Sequence, residues 1–376
     1  MKHPQQHVPP LQLHNDTWAR TDKQKAKAFA EHLDTVFRPF PSQSTAMDEE
    51  TIMQELKAPH QMALPLKKIR LHEVVQVIQY KTHTTKAPGY DLITGKILKE
   101  HSRKGFRAVT QINNAILRLE YFPYHWKVGE IIMIAKPGKN PADVTSYRTI
   151  SLLPQLSKIL QKILLRRLTP ILADAKSIAS HQFGFRPQHG TVEQAHRIVH
   201  KINDDLDNKR FCTAAFIDIS QAFDKVWHTG LFYKLKQALP HPAYTLLTSY
   251  LTDRMFQVRY QKEYTPLYAI HSGVPQGSIL GPILYSLYSA DLPETEQTGT
   301  ATYADDTAIL ASHHDSIAAT EQLQYHLCRL EQWIKRWRTR ANETKSTHVT
   351  FTLRREDCPP VYLNGKHIPQ DATIKT

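Results

Sequence analysis

Ala301-Thr302-Tyr303-Ala304-Asp305-Asp306-Thr307-Ala308-Ile309-Leu310-Ala311 is the stretch on which the reading of this chain turns. Two adjacent carboxylates interrupt two short apolar runs whose composition is that of strands. Adjacent like charges on a tight turn repel, and a cation is the usual means of offsetting that repulsion. A turn with wet flanks uses Asp freely. Here the flanks read as buried, so the turn lifts two carboxylates out of a core strand pair. That is the form of a platform for divalent metal.

Working outward, Cys212-Thr213-Ala214-Ala215-Phe216-Ile217-Asp218-Ile219 reads as a buried strand ended by one acid. Standing alone, Asp218 reads as a helix cap or turn residue. On a strand next to Asp305 and Asp306 it completes a carboxylate cluster. Two cations about 3.5–4 Å apart in such a cluster clamp the attacking and leaving oxygens of a phosphoryl transfer. Oxygen ligands and substrate phosphates suit Mg²⁺ better than Zn²⁺.

Three stretches carry a resemblance to a known family. Phe216-Ile217-Asp218-Ile219-Ser220-Gln221-Ala222-Phe223-Asp224 resembles the first palm motif of reverse transcriptases. Ser272-Gly273-Val274-Pro275-Gln276-Gly277-Ser278-Ile279-Leu280-Gly281-Pro282 resembles the second, and Tyr303-Ala304-Asp305-Asp306 the third, in the right order. Lys86-Ala87-Pro88-Gly89-Tyr90-Asp91, Ser146-Tyr147-Arg148-Thr149-Ile150-Ser151-Leu152-Leu153-Pro154, His181-Gln182-Phe183-Gly184-Phe185-Arg186 and Asn342-Glu343-Thr344-Lys345-Ser346 narrow it to non-LTR (LINE-type) retrotransposons, especially the jockey-like group. The resemblance runs from about Trp18 to the C-terminus.

That resemblance implies an RNA-directed DNA polymerase with an RNA template, a DNA primer and dNTPs as partners. It implies two Mg²⁺ ions, with Mn²⁺ as a substitute, at Asp218, Asp305 and Asp306, with the Ile219 carbonyl as an extra ligand. The primer 3′-hydroxyl attacks the α-phosphate and pyrophosphate leaves, a reaction that needs positioning and charge stabilisation more than covalent help. Phe223 is expected to crowd the 2′ carbon and select deoxynucleotides. Gln276 and Gly277 are expected beside the new base pair or sugar, where glycine lets a backbone come close. Arg148 and Lys136 are expected on the triphosphate, and Lys345 as the acid that protonates pyrophosphate.

Composition agrees. Lys and Arg number 48 against 35 Asp and Glu, a formal net charge of +13, which suits a polyanionic partner. Basic residues cluster locally at 158–167 and 335–340. Cys212, Cys328 and Cys358 lie far apart without a Cys-x-x-Cys pair, so neither a zinc site nor a disulfide framework is expected. His313-His314-Asp315 reads as a loop and cap. The start, Met1-Lys2-His3-Pro4-Gln5, lacks a signal-peptide core, and no run reaches the ~20 apolar residues of a membrane span. An intracellular protein follows, in nucleus or cytoplasm, with the nucleus favoured by family analogy.

The expected fold is α+β, a right-hand polymerase with fingers and a mostly antiparallel palm sheet. Residues 1–60 read as an N-terminal extension with one amphipathic helix, begun at Thr21-Asp22, stopped by Pro39 and Pro41, and followed by a linker. Residues 61–210 read as fingers interleaved with palm, and 211–376 as palm. Helices are expected over 220–239 and from about 316 to 340. The stripe Leu323, Leu327, Leu330, Ile334 and Trp337 reads as packing. Thr149 stands where the family has proline, and Tyr90 likewise. The chain ends at Ile374-Lys375-Thr376, near where the family has its primer-grip hairpin and thumb, so the thumb is expected to be missing and the endonuclease domain absent. The alternative is a truncated, catalytically inactive retrotransposon relic that at most binds nucleic acid. An RNA-dependent RNA polymerase is the third option.

Overall fold

A run of seven residues, Phe211–Ile217, is apolar enough to be covered on both faces, and only Phe216 in it is exposed. The computed structural model describes residues 8–13, 17–43, 45–175, 177–186 and 188–371. The start at Met1 and the terminal Ile374-Lys375-Thr376 lie outside the described residues. Phe211–Ile217 sits inside a four-stranded sheet between Thr347–Phe351 and Asp306–His313, with Thr298–Tyr303 at the far edge. Every pairing in this sheet is antiparallel. Successive side chains of a strand point to opposite faces, and the two faces belong to different cores. Ala215, Ile217, Ile309 and Ala311 pack with Leu323 and Leu327 of the helix Ser316–Arg336. Cys212, Ala214, Ala308 and Leu310 pack with Ile202 of the helix Thr191–Asp207. Double coverage is why these strands read as continuous apolar runs rather than as an alternation.

A second sheet joins distant parts of the chain. Val128–Ala135 pairs antiparallel with Tyr147–Leu152 and parallel with Arg254–Tyr260, which also pairs with Glu263–Tyr264 and Tyr268–Ile270. The helix Asp22–Val36 covers this sheet, with Phe29 edge-on to Tyr147 at 4.9 Å. Thr21 begins that helix with a capping box shared with Gln24. Its last carbonyls have no intrahelical donor. The Lys225 ammonium supplies one, donating to the carbonyls of Thr35 at 2.9 Å and Arg38 at 2.8 Å. The N-terminal helix is thereby tied to the segment that follows Asp218.

Several local expectations are corrected. The stretch after Pro41, read as a linker, holds a second helix, Ala46–Lys57. Thr45 accepts from the Asp48 amide, acids fill the first turn, and Glu49 pairs with Arg338 at 2.6 Å; cap and dipole outweigh the polar composition. The helix expected over 220–239 begins only at His228. Gln221 is left-handed at φ 50°, and the carbonyls of Phe223 and Val226 accept from the amides of Val274 and Gly273, so they are not free for helical bonds. The helix expected to reach 340 stops at Arg336. Arg338 turns left-handed at φ 49°, and the Arg340 carbonyl instead accepts from the Ser220 amide. The stripe Leu323, Leu327, Leu330, Ile334 and Trp337 is buried. Thr149 is held in a strand opposite Met133, so the strand ladder, not a proline ring, fixes the neighbouring Arg148.

Candidate active site

The register Thr307↔Ile217 brings the Asp305-Asp306 hairpin alongside Asp218, the residue after Ile217. An open cleft of about 1080 Å³ runs between the two sheets. Asp218, Ile219, Phe223, Gln276, Gly277, Asp305, Lys136, Arg148 and Lys345 all line it. Asp306 does not. It borders an adjoining hollow of about 440 Å³ with Tyr303, and Asp218 and Lys345 border both spaces. The adjacent acids of the hairpin therefore open to different sides of Asp218.

The cleft has a negative and a positive wall. Burial holds the Asp305 carboxyl above the usual carboxylate range, and the charges of Asp306 and Asp218 push it the same way. Across the cleft, burial lowers the Lys136 ammonium, and Lys345, Arg148 and Lys139 lower it further by repulsion, with Asp143 opposing. Lys136 donates to the Thr145 carbonyl at 2.8 Å. Among the described residues, the side chains of Arg148 and Lys345 make no hydrogen bond or ion pair. Such a pair of walls suits a ligand with phosphates on one side and cations between it and the acids. Among the described residues, no three His, Cys, Asp or Glu side chains stand close enough to cage a metal unaided. A hard divalent cation of the Mg²⁺ type does not need such a cage. It keeps several waters and uses one or two carboxylates with substrate phosphates, and Asp218, Asp305 and the Ile219 carbonyl fit that role.

The carboxylate hairpin is held by a residue whose part the sequence reading missed. Asp306 pairs with Tyr303, leaving Ala304-Asp305 as a two-residue loop. Ala304 is left-handed at φ 59°, which tight hairpins require and which alanine adopts at a cost. Gln182, 3% exposed, clamps it. Its Nε2 donates to the Ala304 carbonyl at 3.1 Å, and its Oε1 accepts from the amides of Ala304 at 3.0 Å and Gly184 at 2.7 Å. The Phe183 amide donates to the Thr302 carbonyl at 2.9 Å. A Cβ on Gly184 would collide with the Ala304 amide. Gln182 and Gly184 both fall inside the quoted run His181-Gln182-Phe183-Gly184-Phe185-Arg186, but nothing local in the sequence says that this run meets residue 304.

Other groups fix the remaining walls. The Asn342 amide donates to the Asp218 carbonyl at 2.8 Å, and the Asp218 amide donates to the Ser346 hydroxyl at 3.2 Å. These two bonds seat Lys345 beside Asp218. Phe223 stacks on Tyr285, with ring centroids 4.5 Å apart and planes 25° apart. Gln276 donates from Nε2 to Asp224 at 2.9 Å, and its backbone carbonyl accepts from the Ser151 amide at 3.0 Å. Gly277 is left-handed at φ 98°, and a Cβ there would lie 2.8 Å from the Ser151 carbonyl. Its need for glycine thus comes from contact with the second sheet as well as from any ligand. Asp224, quoted in the first motif but given no role, is the acid that orients Gln276. Burial pushes its carboxyl up to about 6, although Gln276, Lys225 and Lys136 pull the other way.

The family follows from comparison with known proteins. The family model described as reverse transcriptase (RNA-dependent DNA polymerase) matches residues 134–370, and the chain belongs to that family. It is 42% identical over 371 residues to "Probable RNA-directed DNA polymerase from transposon X-element" of Drosophila melanogaster, covering 97% of this chain and 41% of the relative. It is 41% identical over 366 residues to "RNA-directed DNA polymerase from mobile element jockey" of the same species, covering 95% and 40%. A third relative there, "Probable RNA-directed DNA polymerase from transposon BS", is 40% identical over 376 residues, covering 97% and 41%. These relatives match the jockey-like resemblance read from the motifs. The chain spans about two fifths of the length of the curated relatives it matches.

Two outcomes test this arrangement. An acid whose folded pKa is raised from 3.8 to about 6 adds stability that is complete below the lower value and lost as pH rises through the upper one. Asp224→Asn removes that loss and keeps an acceptor for Gln276. The unfolding free energy of the variant relative to the native chain should therefore rise between about pH 4 and pH 7, by about 1–3 kcal/mol. A difference that stays flat with pH contradicts the assignment. Gln182→Ala leaves buried backbone groups unsatisfied and should lower stability in urea unfolding by about 1–3 kcal/mol. Native stability in that variant means the clamp is idle.

Proposed function

We propose that the chain carries the nucleotide-joining centre of a non-LTR retrotransposon RNA-directed DNA polymerase. The observation that supports it most is the single cleft that Asp218, Asp305 and Lys345 line together with Arg148, Lys136 and Phe223. In this reading a primer 3′-oxygen bonds to the α-phosphorus of a dNTP and the bond to pyrophosphate breaks. Asp218, Asp305 and the Ile219 carbonyl, with Asp306 beside them, would hold two Mg²⁺ ions, replaceable by Mn²⁺, which would supply Lewis acidity for the 3′-hydroxyl and for the leaving pyrophosphate. Arg148 and Lys136 hold the phosphates by forked and point-charge contacts. Phe223, braced by its stack on Tyr285, stands where a 2′-hydroxyl would clash. Gln276, aimed by Asp224, meets the new base pair or sugar. Lys345, seated beside Asp218, gives a proton to pyrophosphate.

The domain reading follows. We assign the palm to the four-stranded antiparallel sheet of 211–371 and the fingers to 61–210. The strands of 254–270 join the fingers sheet, so the two parts interleave. Of the N-terminal extension, the helix Asp22–Val36 lies over that sheet, whereas Ala46–Lys57 packs through Ile52 into the main core and is tied to Lys236 and Arg338. The template is RNA and the primer DNA. Among the described residues no helix is long and apolar enough to cross a membrane, and we place the protein in the nucleus by analogy with elements copied at chromosomal nicks. The assembled cleft favours a polymerase over an inactive relic.

Primer extension on an RNA template tests the reading, with the C-terminal continuation of a relative supplied in cis. Asp305→Asn should lower Mg²⁺-dependent dNTP incorporation by about 10³-fold or more, and Phe223→Ala should admit ribonucleotides. Full extension by the Asp305→Asn protein would reject the metal assignment. A native chain that binds template but never extends, even with Mn²⁺, would favour the relic.

A further inference from the structure

Arg254 carries a charge that the reaction above does not use. It opens the strand Arg254–Tyr260 opposite Ile270 and is 1% exposed. A guanidinium keeps its proton inside a protein, and a buried charge is costly unless it is paired. Among the described residues, Arg254 has no carboxylate partner. One Nη donates to the Tyr250 carbonyl at 3.2 Å, and the guanidinium carbon lies 4.9 Å from the centre of the Tyr250 ring. The buried Nε has no acceptor among the described residues.

Neighbouring charge does not offset this. Burial lowers the Lys127 ammonium; Asp253 opposes, and Arg254 adds to the lowering by repulsion. Burial brings His228 down to about 4 against its bond to the Gly273 carbonyl, and Arg254 and His271 push the same way. Apart from the Tyr250 phenol, the groups that feel Arg254 are therefore basic. Arg254 also lines a small cavity between the second sheet and the loop of 272–276. Its volume of about 10 Å³ is room for one water-sized particle. Leu153, Phe256, Ile270 and Val274 give it apolar walls, and Pro275 and Gln276 border both this cavity and the carboxylate cleft.

We propose that Arg254 binds one monatomic anion, a halide such as chloride, in this cavity, and that the ion supports the loop carrying Gln276. A halide cancels the buried charge and has no orientation to satisfy against apolar walls. A phosphate, a sulfate or a carboxylate is too large for the space. A water would satisfy Nε and leave the charge unpaired. The ion touches no nucleotide, so the site stands or falls separately from the polymerase reading.

Thermal unfolding of the native chain, with sodium chloride exchanged for sodium gluconate at constant ionic strength, tests the proposal. One site present only in the folded chain predicts a rise of about 2 °C in unfolding temperature for each tenfold rise in chloride above its Kd. Crystals of the native chain in sodium bromide should show an anomalous peak within hydrogen-bond reach of the Arg254 guanidinium. Arg254→Met removes the charge at similar length and should lose the chloride dependence, while unfolding in gluconate no earlier than the native chain. A native unfolding temperature indifferent to chloride, or the same rise in Arg254→Met, would overturn the proposal. So would bromide crystals with no peak beside Arg254, which is the result for a water. The bromide measurement uses the native chain alone, so it decides the matter even where Arg254→Met folds poorly.

Discussion

Like-charge repulsion among Asp218, Asp305 and Asp306 is the constraint around which the molecule is organised. Left to itself, the repulsion would drive the two strands apart at the end where they meet. Antiparallel pairing from Thr307↔Ile217 to His313↔Phe211 holds them together, with apolar cores on both faces of the sheet. Asp218 and Asp305 sit at the rim of that sheet, in a cleft that Lys136 and Arg148 line from the other sheet, while Asp306 borders the adjoining hollow. A fold that spends apolar burial to hold acids together in this way is suited to a ligand that brings positive charge with it.

The precision of the site comes from contacts distant in sequence. Gln182 secures the left-handed Ala304 from across the sheet edge, Asn342 and Ser346 lock the backbone of Asp218, and Ser151 meets Gln276 and Gly277 from the second sheet. Lys225, in the segment after Asp218, holds the end of the N-terminal helix. Displacing one of these supports therefore moves the acids or the Gln276 loop without touching either directly. Several supporting residues lie at the junction of the two sheets.

Much of this was legible in the sequence. The strand ended by Asp218, the apolar flanks of Asp305-Asp306 and the stripe from Leu323 to Trp337 all carry periodic patterns strong enough to survive tertiary packing. The motif order also placed Lys136, Arg148, Phe223, Gln276 and Lys345, which line the same cleft as Asp218 and Asp305. What was hidden depends on contacts made at long range. Nothing near Gln182 announces Ala304, and nothing near Phe223 says that its carbonyl will accept from Val274 and so delay the helix to His228. The opening of Asp305 and Asp306 to different sides depends on a hairpin conformation invisible in two adjacent letters. Two misses were avoidable. Thr45 before Asp48 and Glu49 is a helix start, and Asn364-Gly365 between Tyr362–Leu363 and Lys366–His367 is a strong hairpin signal.

The most direct measurement is the Mg²⁺ dependence of thermal unfolding, since it asks about the carboxylates without asking about catalysis. A cation bound only to the folded chain raises stability by RT ln(1 + [L]/Kd), about 1.4 kcal/mol at ten times Kd. The account predicts that Mg²⁺ raises the unfolding temperature of the native chain and that Asp218→Asn and Asp305→Asn each remove the rise. An equal rise in all three proteins would place the ion elsewhere and contradict a metal centre between these two strands.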